Sequence, residues 1–286
     1  DTVSDRGVAW LEAKAAAHDG RPWLLWLHYF DPHEVYQLHE AYAPVFGSET
    51  DLERYRGEIR WTDEHLGRVL TALEASPFAE RTVVALTADH GEEWEDHGEL
   101  GHGHTLYREL VRVPLLLRAP GLASGRVAER VSLLDLAPTL LDLCGLPPLE
   151  GIGGRTLRPL ASAPSSEGID RARGAVLAEV GRSKSQRMAA VGAGDWKLVW
   201  HEQDDRFELF DVRSDPLEQR DLSALRPDDV ERLHRDLLRL RAEALLDAPL
   251  VADEDAAGAG LGAAERSALA ELGYVDDAPT PTEEQP

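Results

Sequence analysis

The chain has 286 residues, enough for one large domain or one domain with a smaller companion. Its 53 acidic and 30 basic residues give a net charge of −23, which excludes nucleic acid as a partner and leaves any anionic substrate dependent on local attraction from a metal, histidine or arginine. A single cysteine, Cys144, excludes an intrachain disulfide and a multi-thiolate zinc site, and no apolar run reaches membrane-spanning length.

In chain order, Ser4 caps a helix running to Ala17, with Val8, Leu11 and Ala15 on one face. Trp23 to Leu27 is a short continuous apolar run and predicts a strand covered on both faces. Leu52, Tyr55, Ile59, Leu66, Val69 and Leu73 mark an amphipathic helix, and Thr82 to Thr87 is the next buried strand. Val113 to Arg118 is another strand, and strand–helix–strand at these spacings predicts an α/β crossover with a mainly parallel sheet. Leu133 to Leu143 is a helix ended by Gly145 and Pro147, and 161–166 reads as a linker. Four β-like runs follow at 175–180, 187–191, 196–200 and 207–211, the last two suggesting an antiparallel hairpin. A helix then carries Val230, Leu233, Leu237, Leu240 and Ala244 on one stripe. The expected organisation is an α/β part over 1–160, a small antiparallel α+β part over 170–250, and a tail over 251–286 that holds a short helix and frays after about Pro279.

Chemistry concentrates after the strand that ends at Thr87. Asp89 and His90 stand where open α/β sheets gather ligands, and a carboxylate beside an imidazole suits a divalent cation. A helix cap with a surface histidine is the competing reading. Gly91 lets the backbone turn after the pair. His97, His102 and His104 follow, interleaved with Gly98, Gly101 and Gly103. His97 reads as a solvated loop residue, whereas His102 and His104 read as a unit for proton donation or anion binding, with the inward-pointing one undecided. His33, beyond Pro32 at the end of the Trp23 run, is a second site residue, because parallel strands present their carboxyl ends on one side. His28 reads as a core histidine, His39 and His65 as surface residues, Cys144 as a small buried hydrophobe and Trp196 and Trp200 as packing.

Several motifs in order resemble the sulfatases of the alkaline phosphatase superfamily across nearly the whole chain. They are Leu27 to His33, Tyr55 to Asp63, Thr87 to Glu92, Gly101 to Tyr107, Val111 to Leu115, Leu134 to Leu141 and Gly151 to Leu157, then Trp196-Lys197-Leu198, Glu208 to Asp211, Asp215 to Glu218 and Leu272-Gly273-Tyr274-Val275. The resemblance implies an alkaline-phosphatase-like sandwich, incomplete here, with a small C-terminal antiparallel sheet. It implies a sulfuric ester hydrolase acting on small-molecule or carbohydrate sulfate esters. Asp89 and His90 would ligate a divalent cation, calcium or magnesium in most of the family, with manganese and zinc left open because many relatives have Asn in place of His90. His33 would contact the sulfate, and His102, with His104 as the alternative, would take the place of a sulfate-contacting lysine or histidine.

The family's nucleophile is a formylglycine made from Cys or Ser in Cys/Ser-x-Pro-x-Arg, and no such motif stands in this sequence. The resemblance therefore implies the C-terminal half of a sulfatase, partnered by the missing N-terminal half and inactive alone, with an exposed sheet edge. A phosphodiester or phosphonate monoester hydrolase and a non-catalytic scaffold are the competing functions. A periplasmic or secreted location follows only if a leader lies upstream.

Overall fold

The computed structural model describes residues 2–17, 20–149, 151, 153–162, 174–183 and 186–247. The expected tail over 251–286, with Leu272 to Val275, lies outside the described residues, as does 163–166 of the expected linker. Ala161 and Ser162 belong instead to a short helix.

The first helix, α1 (Thr2–Ala17), begins two residues before Ser4, so Ser4 does not cap it. Ser4 is fully buried and its hydroxyl meets that of Tyr29 at 2.8 Å. After α2 (Ala43–Phe46) comes α3 (Asp51–Glu74), started by a reciprocal capping box in which Thr50 Oγ1 accepts the Glu53 N–H and the Glu53 carboxylate accepts the Thr50 N–H. Leu11 of α1 packs on Val69 and Leu73 of α3 and on Phe78. Trp23 lies edge-on to both Trp10 and Phe78 at 5.3 Å.

The run from Trp23 to Leu27 is extended but joins no sheet among the described residues. Trp23, Leu25 and Leu27 pack on the α1–α3 cluster, while Leu24 and Trp26 are each 84% exposed. The burial expected on both faces is thus met on one, because side chains of an extended chain alternate and nothing among the described residues covers the second face. His28, on that uncovered side, is exposed and is not a core histidine.

The next elements are β1 (Val84–Thr87), β2 (Glu93–Trp94), β3 (Leu100–Gly101), α4 (Arg108–Val111) and β4 (Leu115–Arg118). The two runs predicted as strands, β1 and β4, pair antiparallel with Val84 opposite Arg118 and Thr87 opposite Leu115. All strand pairing among the described residues is antiparallel, so the parallel crossover expected from spacing is not formed within them.

The predicted helix at Leu133 opens with a 3-10 turn and continues as α5 (Leu136–Leu143). Fully buried Asp135 ties this helix to the Gly151–Leu157 segment: its Oδ2 accepts the Ser132 N–H at 2.9 Å and its Oδ1 the Arg155 N–H at 3.0 Å. Cys144 caps α5 and is exposed, because the helix ends one residue earlier and turns it off the apolar face. After α6 (Arg158–Ser162), β5 (Ala175–Ser183), β6 (Gln186–Ala193), β7 (Trp196–His201) and β8 (Arg206–Asp211) form an antiparallel sheet in chain order. Val191, Leu198 and Leu209 point to one face and bury Leu233 and Leu237 of α7 (Pro227–Asp247). Ala190, Val199 and Phe210 point to the other face and bury Leu106. The period of two thus gives the sheet two apolar faces. Ala244 falls outside the buried stripe and is exposed.

Candidate functional site

Three of the expected site residues come together from three segments of the chain. His33, in the segment after the extended run, stacks on Phe30 at 4.4 Å and meets the edge of His102 at 5.1 Å. His102 in turn stacks on His90, with centroids 4.2 Å apart and planes 26° apart. His102 is held between Gly101 and Gly103, whose φ angles of 86° and 78° are those that glycine adopts without strain.

Hydrogen bonds fix the orientation of each ring. A carbonyl only accepts, so His90 Nδ1 donates to the Gly91 carbonyl at 2.9 Å and His33 Nδ1 donates to the Glu34 carbonyl at 2.6 Å. In both rings Nε2 is left as the atom presented to a ligand. His102 Nδ1 faces both oxygens of Glu92, at 3.1 and 3.2 Å. Burial works against charge on Glu92, yet its hydrogen bonds from His102 and Tyr36 outweigh that and hold its carboxyl below the usual range. The Glu92 carboxylate thus fixes the His102 ring through Nδ1.

Gly91 serves a purpose other than a left-handed turn. A Cβ there would lie 1.9 Å from the Glu109 carbonyl oxygen, and the Gly91 N–H donates to the Leu110 carbonyl at 2.8 Å. Glycine is required by close approach of α4, which docks the segment bearing Asp89 and His90 against the histidine loop.

Asp89 and His90 both lie at the surface, and the closest approach of Asp89 Oδ2 to His90 Nε2 is 3.8 Å. Two ligand atoms each about 2.0–2.6 Å from one cation can be this far apart. With a carboxylate and an Nε2 lone pair converging, the residues fit one edge of a cation shell. Among the described residues no group of three or more His, Cys, Asp or Glu side chains could hold a metal, so these two supply an edge and not a full shell.

His104 does not join the three rings. Its Nε2 faces Glu93 Oε2 at 3.1 Å, and Glu93 is fully buried. Glu93 Oε1 also accepts the His97 and Glu99 N–H groups at 3.1 and 3.0 Å. Burial disfavours its charge, but these donors and His104 lower its pKa overall. Glu93 folds the loop, and His104 is part of that framework. His97 is likewise structural and not solvated: its Nδ1 meets Glu109 at 2.7 Å and its Nε2 meets the Glu218 carbonyl at 2.9 Å. Burial opposes its charge, and the two acceptors more than offset this and raise its pKa. Of the two expected surface histidines, His39 stacks on Trp61 at 4.7 Å and His65 lies 4.2 Å from the same ring, so both are half-buried.

Sequence reasoning missed Glu92, Glu93 and Glu58 as interior groups. In a chain with 53 acidic residues their letters carry no distinguishing signal. Glu58, on α3, is 1% exposed and its Oε1 accepts the Gln37 N–H at 2.6 Å. Burial, offset in part by backbone N–H groups of Gln37 and His33, pushes its carboxyl up to about 7.

The arrangement matches known proteins. A sulfatase family model covers residues 1–146, and a model for the C-terminal part of N-sulphoglucosamine sulphohydrolase covers residues 97–243. Arylsulfatase K of Danio rerio is 29% identical over 226 residues, 74% of this chain and 43% of that protein. A phosphonate monoester hydrolase from Silicibacter pomeroyi superposes with a TM-score of 0.57 at 27% identity, over 71% of this chain and 44% of the other. A sulfatase candidate from Bacteroides fragilis superposes with a TM-score of 0.73 at 18% identity, over 87% of this chain and 59% of the other, and establishes the fold as that of the alkaline-phosphatase-like sulfatases. The chain spans less than half of the length of the curated relatives it matches. With half of its residues matched by the family model and its site loops in the family's fold, this chain belongs to the sulfatase family.

Proposed function

We propose that these residues form the cation-edge and sulfate-contacting part of a sulfuric ester hydrolase. The observation that carries the reading is the His33–His102–His90 array beside Asp89, built from three separate segments in a chain of net charge −23. Against that overall charge, an anion is attracted only where cationic donors are locally fixed.

His33 and His102 each present Nε2 and, when protonated, donate to sulfate oxygens. Glu92 holds the Nδ1 proton of His102, so a proton delivered to the departing ester oxygen comes from Nε2. Asp89 and His90 would hold one side of a divalent cation, which would supply charge neutralisation at the sulfate oxygens. Calcium or magnesium suits the oxygen ligand, and manganese or zinc suits the imidazole. Within these 286 residues no Cys/Ser-x-Pro-x-Arg stands, so the attacking group is not among them.

The same donors suit a phosphoryl or phosphonyl group, and likeness to the phosphonate monoester hydrolase favours that second reading. Hydrolysis of 4-nitrophenyl sulfate and of a phenylphosphonate monoester, by the protein that carries this chain, separates the two. The proposal expects the sulfate to turn over faster with His102 intact and the 286-residue chain alone to turn over neither. Preference for the phosphonate overturns the sulfate assignment, and full activity after His102→Ala overturns the site.

A further inference from the structure

We propose that Glu218, in the turn after β8, is a positioning residue that sets His102 by clamping both ends of the histidine loop to the C-terminal sheet. The proposal rests on the reading of His102 as an anion contact.

Glu218 is buried, and three of its contacts reach outward from one residue. Its main-chain oxygen accepts the His97 Nε2–H at 2.9 Å, at the start of the loop. Its Oε2 accepts the Arg108 N–H at 3.1 Å, at the end of the loop, and the Lys197 Nζ of β7 at 2.6 Å. Glu218 has φ of 59°, a left-handed conformation that a non-glycine residue keeps only when its surroundings fix it. Gln219 adds a donor to the Asp96 carbonyl at 3.1 Å.

The loop is pressed to the same sheet by packing. His97 stacks on Tyr107 at 3.8 Å, the Tyr107 hydroxyl donates to Glu208 of β8 at 2.6 Å, and Leu106 lies on Ala190, Val199 and Phe210. Between the clamped ends the chain passes through Gly98, Gly101 and Gly103, all at positive φ. Glycines give that stretch many unfolded alternatives. The position of His102 therefore depends on where its loop ends are tied, and Glu218 ties both to the sheet, through its main chain at His97 and its carboxylate at Arg108.

The test compares the full chain with Glu218→Ala and Glu218→Gln, using amide hydrogen exchange, histidine imidazole NMR and inorganic sulfate as the probe. The inference expects Glu218→Ala, which removes the carboxylate ties to Arg108 and Lys197 and leaves the main-chain oxygen on His97, to speed exchange across 102–108 at least tenfold and move the His102 ring resonance, with β5 and β6 protection intact. Sulfate affinity should fall at least fivefold. Glu218→Gln, which keeps an acceptor oxygen, should recover most of these losses. Unchanged loop exchange in Glu218→Ala overturns the inference, as does equal loss of protection in loop and sheet in both variants. If sulfate leaves the wild-type His102 resonance unmoved, the anion-site reading fails, while the exchange comparison still decides the role of Glu218.

Discussion

The imidazole of His102 lies on that of His90 with centroids 4.2 Å apart, so the proposed sulfate contact and the proposed cation ligand share one face of contact. A cation at His90 Nε2 and an anion at His102 Nε2 are then neighbours, and each favours the other. The two proposed roles thus sit side by side, the cation edge at His90 and the anion contact at His102. His102→Ala should weaken sulfate binding by about 1.5–3 kcal/mol, roughly 10–100-fold, and also lower stability by leaving the buried Glu92 carboxylate without its imidazole donor. Titration calorimetry with sulfate measures the loss.

Glu92 should show the pH behaviour of a carboxylate stabilised in the fold. Its pKa is lowered from 4.5, so its stabilising contribution is complete above about pH 4.5 and is lost as pH falls below that through the lowered folded value. Glu92→Ala should cost about 1–3 kcal/mol at neutral pH, leaving Tyr36 and His102 without their acceptor. Urea unfolding at pH 7 and pH 3.5 checks this, with the variant's deficit shrinking at the lower pH.

Glu58 should show the opposite sign. Its carboxyl is raised from 4.5 to about 7, so the folded state holds a proton that the unfolded chain has released, and stability falls as pH rises between those values. Its second oxygen is buried with no hydrogen-bond partner. Glu58→Gln keeps the acceptor for the Gln37 N–H and removes the charge. The variant should match the wild type near pH 4.5 and exceed it by roughly 1–3 kcal/mol above pH 7. Melting curves at the two pH values decide it.

Gly91→Ala should be among the most damaging small substitutions in the site region. The added Cβ would meet a backbone oxygen at 1.9 Å, and neither the Glu109 carbonyl nor the Gly91 N–H can move without breaking the bond to Leu110. A loss of about 3 kcal/mol follows for overpacking against rigid backbone. Chemical denaturation of Gly91→Ala measures it.

The sequence showed the long elements and the ends of the site. The stripe of Val69 and Leu73 and the stripe of Leu233 and Leu237 both fall in cores, because a 3.6-residue period survives whatever packs against it. Trp23 to Leu27 misled, since an apolar run states that both faces tolerate burial and not that both are covered. That His33, His90 and His102 lie together was legible from the chain, because the segments after Leu27, Thr87 and Leu100 were expected to converge. The choice between His102 and His104 was not, because it depends on which of two adjacent glutamates each ring meets. His97 was misread as solvated for a related reason: its partner Glu218 lies 121 residues away, beyond any local pattern.

The proposed site pairs an anion contact at His33 and His102 with a cation edge at Asp89 and His90. Titrating inorganic sulfate, with magnesium present, into the chain labelled at histidine nitrogen tests it most directly. The ring resonances of His33, His90 and His102 should move together with a single affinity, while those of His97 and His201 stay fixed. Movement at His97 or His201 alone, or no movement at any of the three at sulfate concentrations that leave the chain folded, would contradict the account.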